Sequence, residues 1–366
     1  MESSRRKFIR NSAALAAVTV SGQPGLNNTS LLKKEYVQDG GMQFCLAHFF
    51  GMDKRRIELS KQMKVLGAVG GINPKSVGLS DVNSWDYAAV KAVKEAWENA
   101  GLKLKVIEGP PALYEKTKLG LEGKDQEIDN FISLIKNLSK AGIDTICYNW
   151  MPVISWARTT MDRPSRGGAL VSAFDYEDIK DLSVTDYGTF TKDVMWKNLE
   201  YFLKAVVPEA EKHGVKLALH PDDPPVDSIR GIARIMTSAD AFKRLIEIVP
   251  SPSNGITLCQ GTFATMGEDI PSVIRYFGKR EKIHFVHFRD VRGNRQNFEE
   301  TFHDDGKTDM YEAMKTYYEI GFKGPIRPDH VPTMSEDSNE HPGYSNIGAL
   351  FAIGYMRGLI ESVAKG

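Results

Sequence analysis

Disulfide pairs, long apolar runs and an excess of one charge are all missing from this 366-residue chain. Its 3 cysteines, Cys45, Cys147 and Cys259, are too few and too odd in number for a disulfide framework, so at least one is free or bound to something else. No segment reaches the roughly eighteen uninterrupted apolar residues of a membrane-spanning helix. Lys+Arg and Asp+Glu number 47 each, and the resulting net charge of zero offers little to a phosphate backbone or an anionic lipid surface. A G-x-G-x-x-G turn after a strand is also absent, which removes the anchor of a dinucleotide-binding fold. What remains is a globular composition, 42% hydrophobic and 26% charged, with 17 Phe, 13 Tyr and 5 Trp spread along the chain. It suits a small-molecule partner, with neither nucleic acid nor membrane expected.

The first residues are set apart from the fold. Ser4-Arg5-Arg6-Lys7-Phe8-Ile9-Arg10 precedes an uncharged, Ala/Val-rich run from Asn11 to Ser21, the pattern of a twin-arginine export signal. The expected organisation is a signal at 1–22, a linker at 23–40 and one domain at 41–366, with the mature protein exported to the periplasm.

From Met42 onward, short β-branched runs alternate with helical patterns, as in βα units around a parallel sheet. Strands are expected at Gln43–Ala47, Lys64–Val69, Leu104–Glu108, Thr145–Asn149, Lys216–His220, Gly255–Cys259, Ile283–His287 and Pro325–Asp329. Helices are expected at Trp85–Ala100, Asp125–Ala141, Thr191–His213, Ser238–Ile248, Asp309–Ile320 and Ile347–Val363. Four of them run into a stop glycine, Gly101, Gly142, Gly214 or Gly321, followed by an apolar strand start. Eight such repeats point to an α/β fold, the (β/α)8 TIM barrel. The stretch 152–190 is too long for an ordinary connection and reads as a rim or lid.

Barrel enzymes place their chemistry where strands end, because those ends converge on one open mouth. The fifth to eighth strands finish on His220, Cys259, His287 and Asp329, spaced by 39, 28 and 42 residues, each about one βα repeat. A lone strand-end histidine or cysteine is usually structural. Two imidazoles, a thiolate and a carboxylate in phase form a divalent metal site with positions left open for substrate oxygens.

Around these residues the chain resembles the mannonate dehydratase family. The resemblance rests on Cys147-Tyr148-Asn149-Trp150-Met151-Pro152-Val153 with Trp156-Ala157-Arg158-Thr159, His220-Pro221-Asp222-Asp223-Pro224-Pro225 and Cys259-Gln260-Gly261. It continues through His284-Phe285-Val286-His287-Phe288-Arg289, Arg327-Pro328-Asp329-His330 and Pro342-Gly343-Tyr344, in the family's order. It implies a xylose-isomerase-like TIM barrel that dehydrates D-mannonate to 2-keto-3-deoxy-D-gluconate in hexuronate catabolism. It also implies Mn2+ or Fe2+ held by His220, Cys259, His287 and Asp329, with His330 and Tyr344 as the acid/base pair. Ligand softness alone adds Zn2+ to the candidates. The N-terminal motifs differ: the family's Phe-Arg-Trp stretch is replaced by Gln43-Phe44-Cys45-Leu46-Ala47-His48-Phe49-Phe50, and its His-rich second loop by Val69-Gly70-Gly71-Ile72-Asn73-Pro74.

Dehydration of a sugar acid needs charge stabilisation at the carboxylate and C2 hydroxyl, a base at C2 and an acid at C3. His330 and Tyr344 suit the last two roles, in either order. Arg158 and Arg289 offer guanidinium forks to the carboxylate, Asp222 and His303 offer partners to hydroxyls, and Asn149 is a further candidate contact. Two other readings stay open, a metal-dependent sugar isomerase or epimerase and an exported carbohydrate-binding protein without turnover. Homo-oligomeric assembly is compatible with the sequence and not demanded by it.

Overall fold

The computed structural model describes residues 39–365, so the expected export signal, and the linker up to residue 38, lie outside the described residues. Eight parallel strands close into a barrel: β1 (Gln43–Ala47), β2 (Gly67–Gly70), β3 (Lys103–Glu108), β4 (Thr145–Asn149), β5 (Lys216–His220), β6 (Asn254–Cys259), β7 (Ile283–Phe288) and β8 (Pro325–Pro328). Strands neighbour one another in chain order, and β1 pairs with both β2 and β8, so the expected TIM barrel is the fold.

β2 starts three residues later than the sequence suggests, for a local reason. An unforeseen helix, Lys54–Gln62, ends there: Lys64 turns to φ +55°, and the Val65 N–H donates to the Ser60 carbonyl at 2.8 Å. Residues 64–66 therefore finish a helix before the chain can extend. The four stop glycines behave as expected, with φ of +85°, +75°, +65° and +68°.

Inside the barrel, Cys45, Val69, Val106, Cys147, Ala218 and Phe285 pack into a small apolar layer. Side chains along a strand alternate sides, so the residue two positions further on faces inward again, one layer nearer the mouth. That rule lifts Glu108 above Val106, Asn149 above Cys147, His220 above Ala218 and His287 above Phe285. The polar layer of the mouth follows from strand periodicity alone.

The stretch 152–190 is not an irregular lid. Its strands Thr160–Pro164 and Leu170–Asp175 join a hairpin after β7, Val291–Asn294 and Asn297–Glu300, in a four-stranded antiparallel sheet. This rim sheet is fastened by Phe174 against Phe298, ring centroids 5.7 Å apart. Among the described residues the closing helix, Asn346–Lys365, is long and apolar enough to cross a membrane, but Ala349, Ile353, Met356 and Ile360 are buried in the barrel's outer core.

Candidate active site

The mouth of the barrel holds a cavity of about 280 Å³, lined by Glu108, Asn149, Trp156, His220, Asp223, His287, Arg327, Asp329, His330 and Tyr344 among others. Parallel register sets neighbours side by side: Asn149 beside His220, Cys259 beside His287, and His287 beside Arg327.

Ligand atoms of His220, Cys259 and His287 all lie within 4.8 Å of one another. His220 Nε2 faces His287 Nδ1 at 3.1 Å, and Asp329 Oδ2 lies 3.6 Å from that Nδ1 and 3.8 Å from Cys259 Sγ. His220 Nδ1 sits 2.7 Å from the Pro221 carbonyl, which can only accept, so Nδ1 carries the proton and Nε2 a lone pair. Arg327 Nη2 donates to His287 Nδ1 at 3.4 Å, which makes that nitrogen an acceptor as well. Two nitrogen lone pairs, a sulfur and a carboxylate oxygen thus converge, an arrangement suited to a cation that takes the place of the thiol hydrogen between Cys259 and Asp329.

Charge balance points the same way. Arg289 reaches Glu300 at 2.7 Å, Asp223 at 2.8 Å and Asp329 at 2.9 Å, while Arg158 grips Asp223 at 2.7 Å and also pairs with Glu300. Arg327 pairs with Asp329 at 2.6 Å and Glu108 at 3.0 Å. Burial works against charge on Glu108, but Arg327 and His287 outweigh it and hold its carboxyl down to about 2. Asp329 is likewise held well below the carboxylate range: burial opposes its charge, and Arg327, His330, His287 and Arg289 override it. Three guanidiniums against four carboxylates leave one negative charge, and a Cys259 thiolate makes two. One divalent ion would neutralise them, so the residues fit the group.

Next to this cluster stands His330, whose backbone is strained into the left-handed region at φ +37°. Its Nδ1 lies 3.0 Å from Glu300 Oε1, at the end of the rim hairpin. The tautomer with Nδ1–H donating to that carboxylate leaves Nε2 free for chemistry. A bridge between Val331 and Gly343 returns the chain, bringing the Tyr344 ring edge-on to His330 at 5.7 Å. Arg56 pins this return by donating to the Tyr344 carbonyl at 3.0 Å and to the Ala47 carbonyl at 2.8 Å. Burial, then the negative charge of Asp329, pushes the Tyr344 phenol above its ordinary range.

Of the residues singled out in the sequence, His220, Cys259, His287, Asp329, His330 and Tyr344 come together in and around this cavity. Asn149 lines it too, with Oδ1 taken by Lys118 Nζ and the Met151 N–H, both at 3.0 Å. The other expected substrate contacts are placed elsewhere. Arg158 and Arg289 spend their forks on Asp223 and Glu300. Asp222 is buried and accepts from the N–H groups of Ile235 and Met236 at 2.8 Å, and its neighbour Asp223 lines the cavity instead. His303 is buried outside the cavity lining with Nε2 2.8 Å from the Phe288 carbonyl, and burial pushes its imidazole down to about 4.

Glu108 and Glu300 were missed. Reading the last residue of β3 as β5 to β8 were read would have found Glu108. No local signal marks Glu300, which reaches the mouth through a tertiary hairpin.

The family model for D-mannonate dehydratase (UxuA) matches residues 42–187 and 181–366. A mannonate dehydratase of Streptococcus agalactiae serotype Ia is 38% identical over 309 residues, covering 77% of this chain and 88% of that one. The crystal structure of mannonate dehydratase from Streptococcus suis serotype 2 superposes with a TM-score of 0.79 at 32% identity, covering 88% of this chain and 94% of that one. An L-ribulose 3-epimerase, 12% identical with a TM-score of 0.55 over 88% of this chain and 96% of that one, shares the fold alone.

Proposed function

This chain belongs to the D-mannonate dehydratase family and is a hydro-lyase acting on a sugar acid, and from that premise we propose that it converts D-mannonate to 2-keto-3-deoxy-D-gluconate with a bound divalent ion. The observation that carries the reading is the convergence of His220, Cys259, His287 and Asp329 in a site whose four carboxylates outnumber its three guanidiniums. These side chains would hold Mn2+ or Fe2+, with Zn2+ also suited to the thiolate. Such an ion, once bound, supplies positive charge beside the substrate's carboxylate and C2 hydroxyl.

The hydrogen bond of His330 and the burial of Tyr344 support one assignment of base and acid. His330 Nε2 takes the C2 proton, and the imidazolium so formed is stabilised by the Glu300 carboxylate on Nδ1. Tyr344, kept protonated by burial and its acidic neighbours, gives its proton to the departing C3 hydroxyl. One C–H bond and one C–O bond break, one water leaves, and the enol tautomerises to the C2 ketone. Trp156 Nε1, buried without a protein partner in a residue that lines the cavity, offers a donor to a substrate hydroxyl.

Incubating manganese-loaded protein with D-mannonate tests the reading: a 2-keto-3-deoxy acid should accumulate, and a ketose, an epimer or unchanged substrate would count against it. We also propose export through the twin-arginine route. Replacing Arg5 and Arg6 by Lys should leave the protein in the cytoplasm, and a cytoplasmic location of the unaltered chain would sink that proposal.

A further inference from the structure

Beside the mouth lies a second cavity of about 280 Å³, between the ends of β1, β2 and β3, and Phe49 and Gly109 line both. The two differ in chemistry. The first is walled by ions, whereas the second has no charged side chain in its lining. Its polar side chains are His48, Asn73, Ser76 and Ser84, and its aromatic ones, besides the shared Phe49, are Trp97 and Tyr114.

His48 is the informative member. It is 4% exposed, and neither ring nitrogen has a hydrogen-bond partner. Its ring leans on Trp97, centroids 5.0 Å apart. Burial, then the charge of Arg56, pushes its pKa down to about 3, so the imidazole is neutral at ordinary pH, with one donor and one acceptor unsatisfied. Leaving buried polar atoms unpaired is costly, and a ligand with hydroxyl groups removes that cost. A cation or anion would meet no counter-charge in this lining. Aromatic faces with uncharged donors and acceptors fit a sugar ring, whose C–H faces stack while its hydroxyls hydrogen-bond.

We propose that this cavity is a subsite for an uncharged glycosyl unit, so that the preferred substrate is a sugar acid carrying a further sugar, with its acid end in the metal-bearing mouth and its neutral end beside His48 and Trp97. The inference rests on the dehydratase reading for the acid end only. The extra unit takes no part in the chemistry, so one water leaves as before and the glycosidic bond stays intact.

The probe is 4-O-β-D-mannopyranosyl-D-mannonate, compared with D-mannonate on the manganese-loaded protein. A preference of about tenfold or more in kcat/KM for the disaccharide acid is expected. It should be lost in His48→Leu and in the exposed-site variant Tyr114→Ala, with kcat/KM on D-mannonate unchanged in both. Active enzyme that handles the disaccharide acid no better than D-mannonate overturns the subsite. If neither acid is turned over, titration with neutral β-1,4-mannobiose, followed by tryptophan fluorescence, decides separately. Saturable binding abolished by His48→Leu keeps the subsite while the dehydratase reading fails, and no saturable binding ends the proposal.

Discussion

At the scale of single residues, the proposed mechanism separates groups that would hold an ion from groups that would move protons. Cys259 is fully buried and faces the Thr262 hydroxyl at 3.2 Å, itself hydrogen-bonded by Arg289 at 3.0 Å, so the sulfur sits in a polar setting. Cys259→Ser should weaken manganese binding by about tenfold or more, measured by metal titration, with the fold intact by circular dichroism. The proton-transfer assignment makes a sharper prediction. In D2O, Tyr344→Phe should still exchange the C2 hydrogen of D-mannonate while losing dehydration, and His330→Asn should lose both; exchange surviving in the histidine variant reverses the roles. Which of two adjacent aspartates enters the cavity was beyond the sequence. Past His220 the chain leaves the strand, period two no longer applies, and Asp222 turns to two backbone donors while Asp223 meets the arginines.

Among elements, the barrel strands were legible and the rim was not. Strands buried on both faces read as apolar runs, and helix stops carried their glycines. By contrast, Thr160–Pro164 reads Thr-Met-Asp-Arg-Pro, with no apolar alternation, because its partners rather than its sequence make it a strand. The helix Gln260–Met266 is buried on every side and so has no amphipathic pattern to detect. Its Gly261 matters for the site, since a Cβ there would overlap Arg289. The rim sheet carries Glu300 to His330, so its packing should be felt in catalysis. Phe298, 2% exposed, lies against Phe174 and under the Arg158 guanidinium at 4.7 Å. Phe298→Ala should cost about 3 kcal/mol of stability. It should also lower kcat about a hundredfold with little change in KM, as Glu300 loses its place. Unchanged kcat would mean that the sheet does not position His330.

For the whole molecule, stability should fall as acid is added well before the carboxylates titrate. Burial holds His48 down to about 3 and His284 and His303 down to about 4, whereas in the unfolded chain each titrates near 6.5. Between those values the unfolded state binds protons that the native state refuses. Each histidine thus stabilises the fold fully above pH 6.5 and loses about 1.4 kcal/mol per pH unit below it, until its native pKa is reached. Glu108, depressed to about 2, adds a further loss as pH drops below its unfolded value near 4.5. Denaturant midpoints measured from pH 7 to pH 4 should show this decline, and a His284→Leu, His303→Leu double variant should show a shallower one.

The ring's closing seam has a consequence for synthesis. β1 and β8 are joined by only two register pairs, Gln43 with Pro325 and Phe44 with Ile326, and Asp329 follows directly after that strand. A nascent chain on the ribosome therefore carries β1 with one bare edge until almost the last of the protein has emerged, a template for wrong pairing that chaperones would have to shield. Sealing the cylinder and delivering Asp329, the proposed fourth ligand, are the same late event, so an incomplete translation product should neither close nor be rescued by added metal.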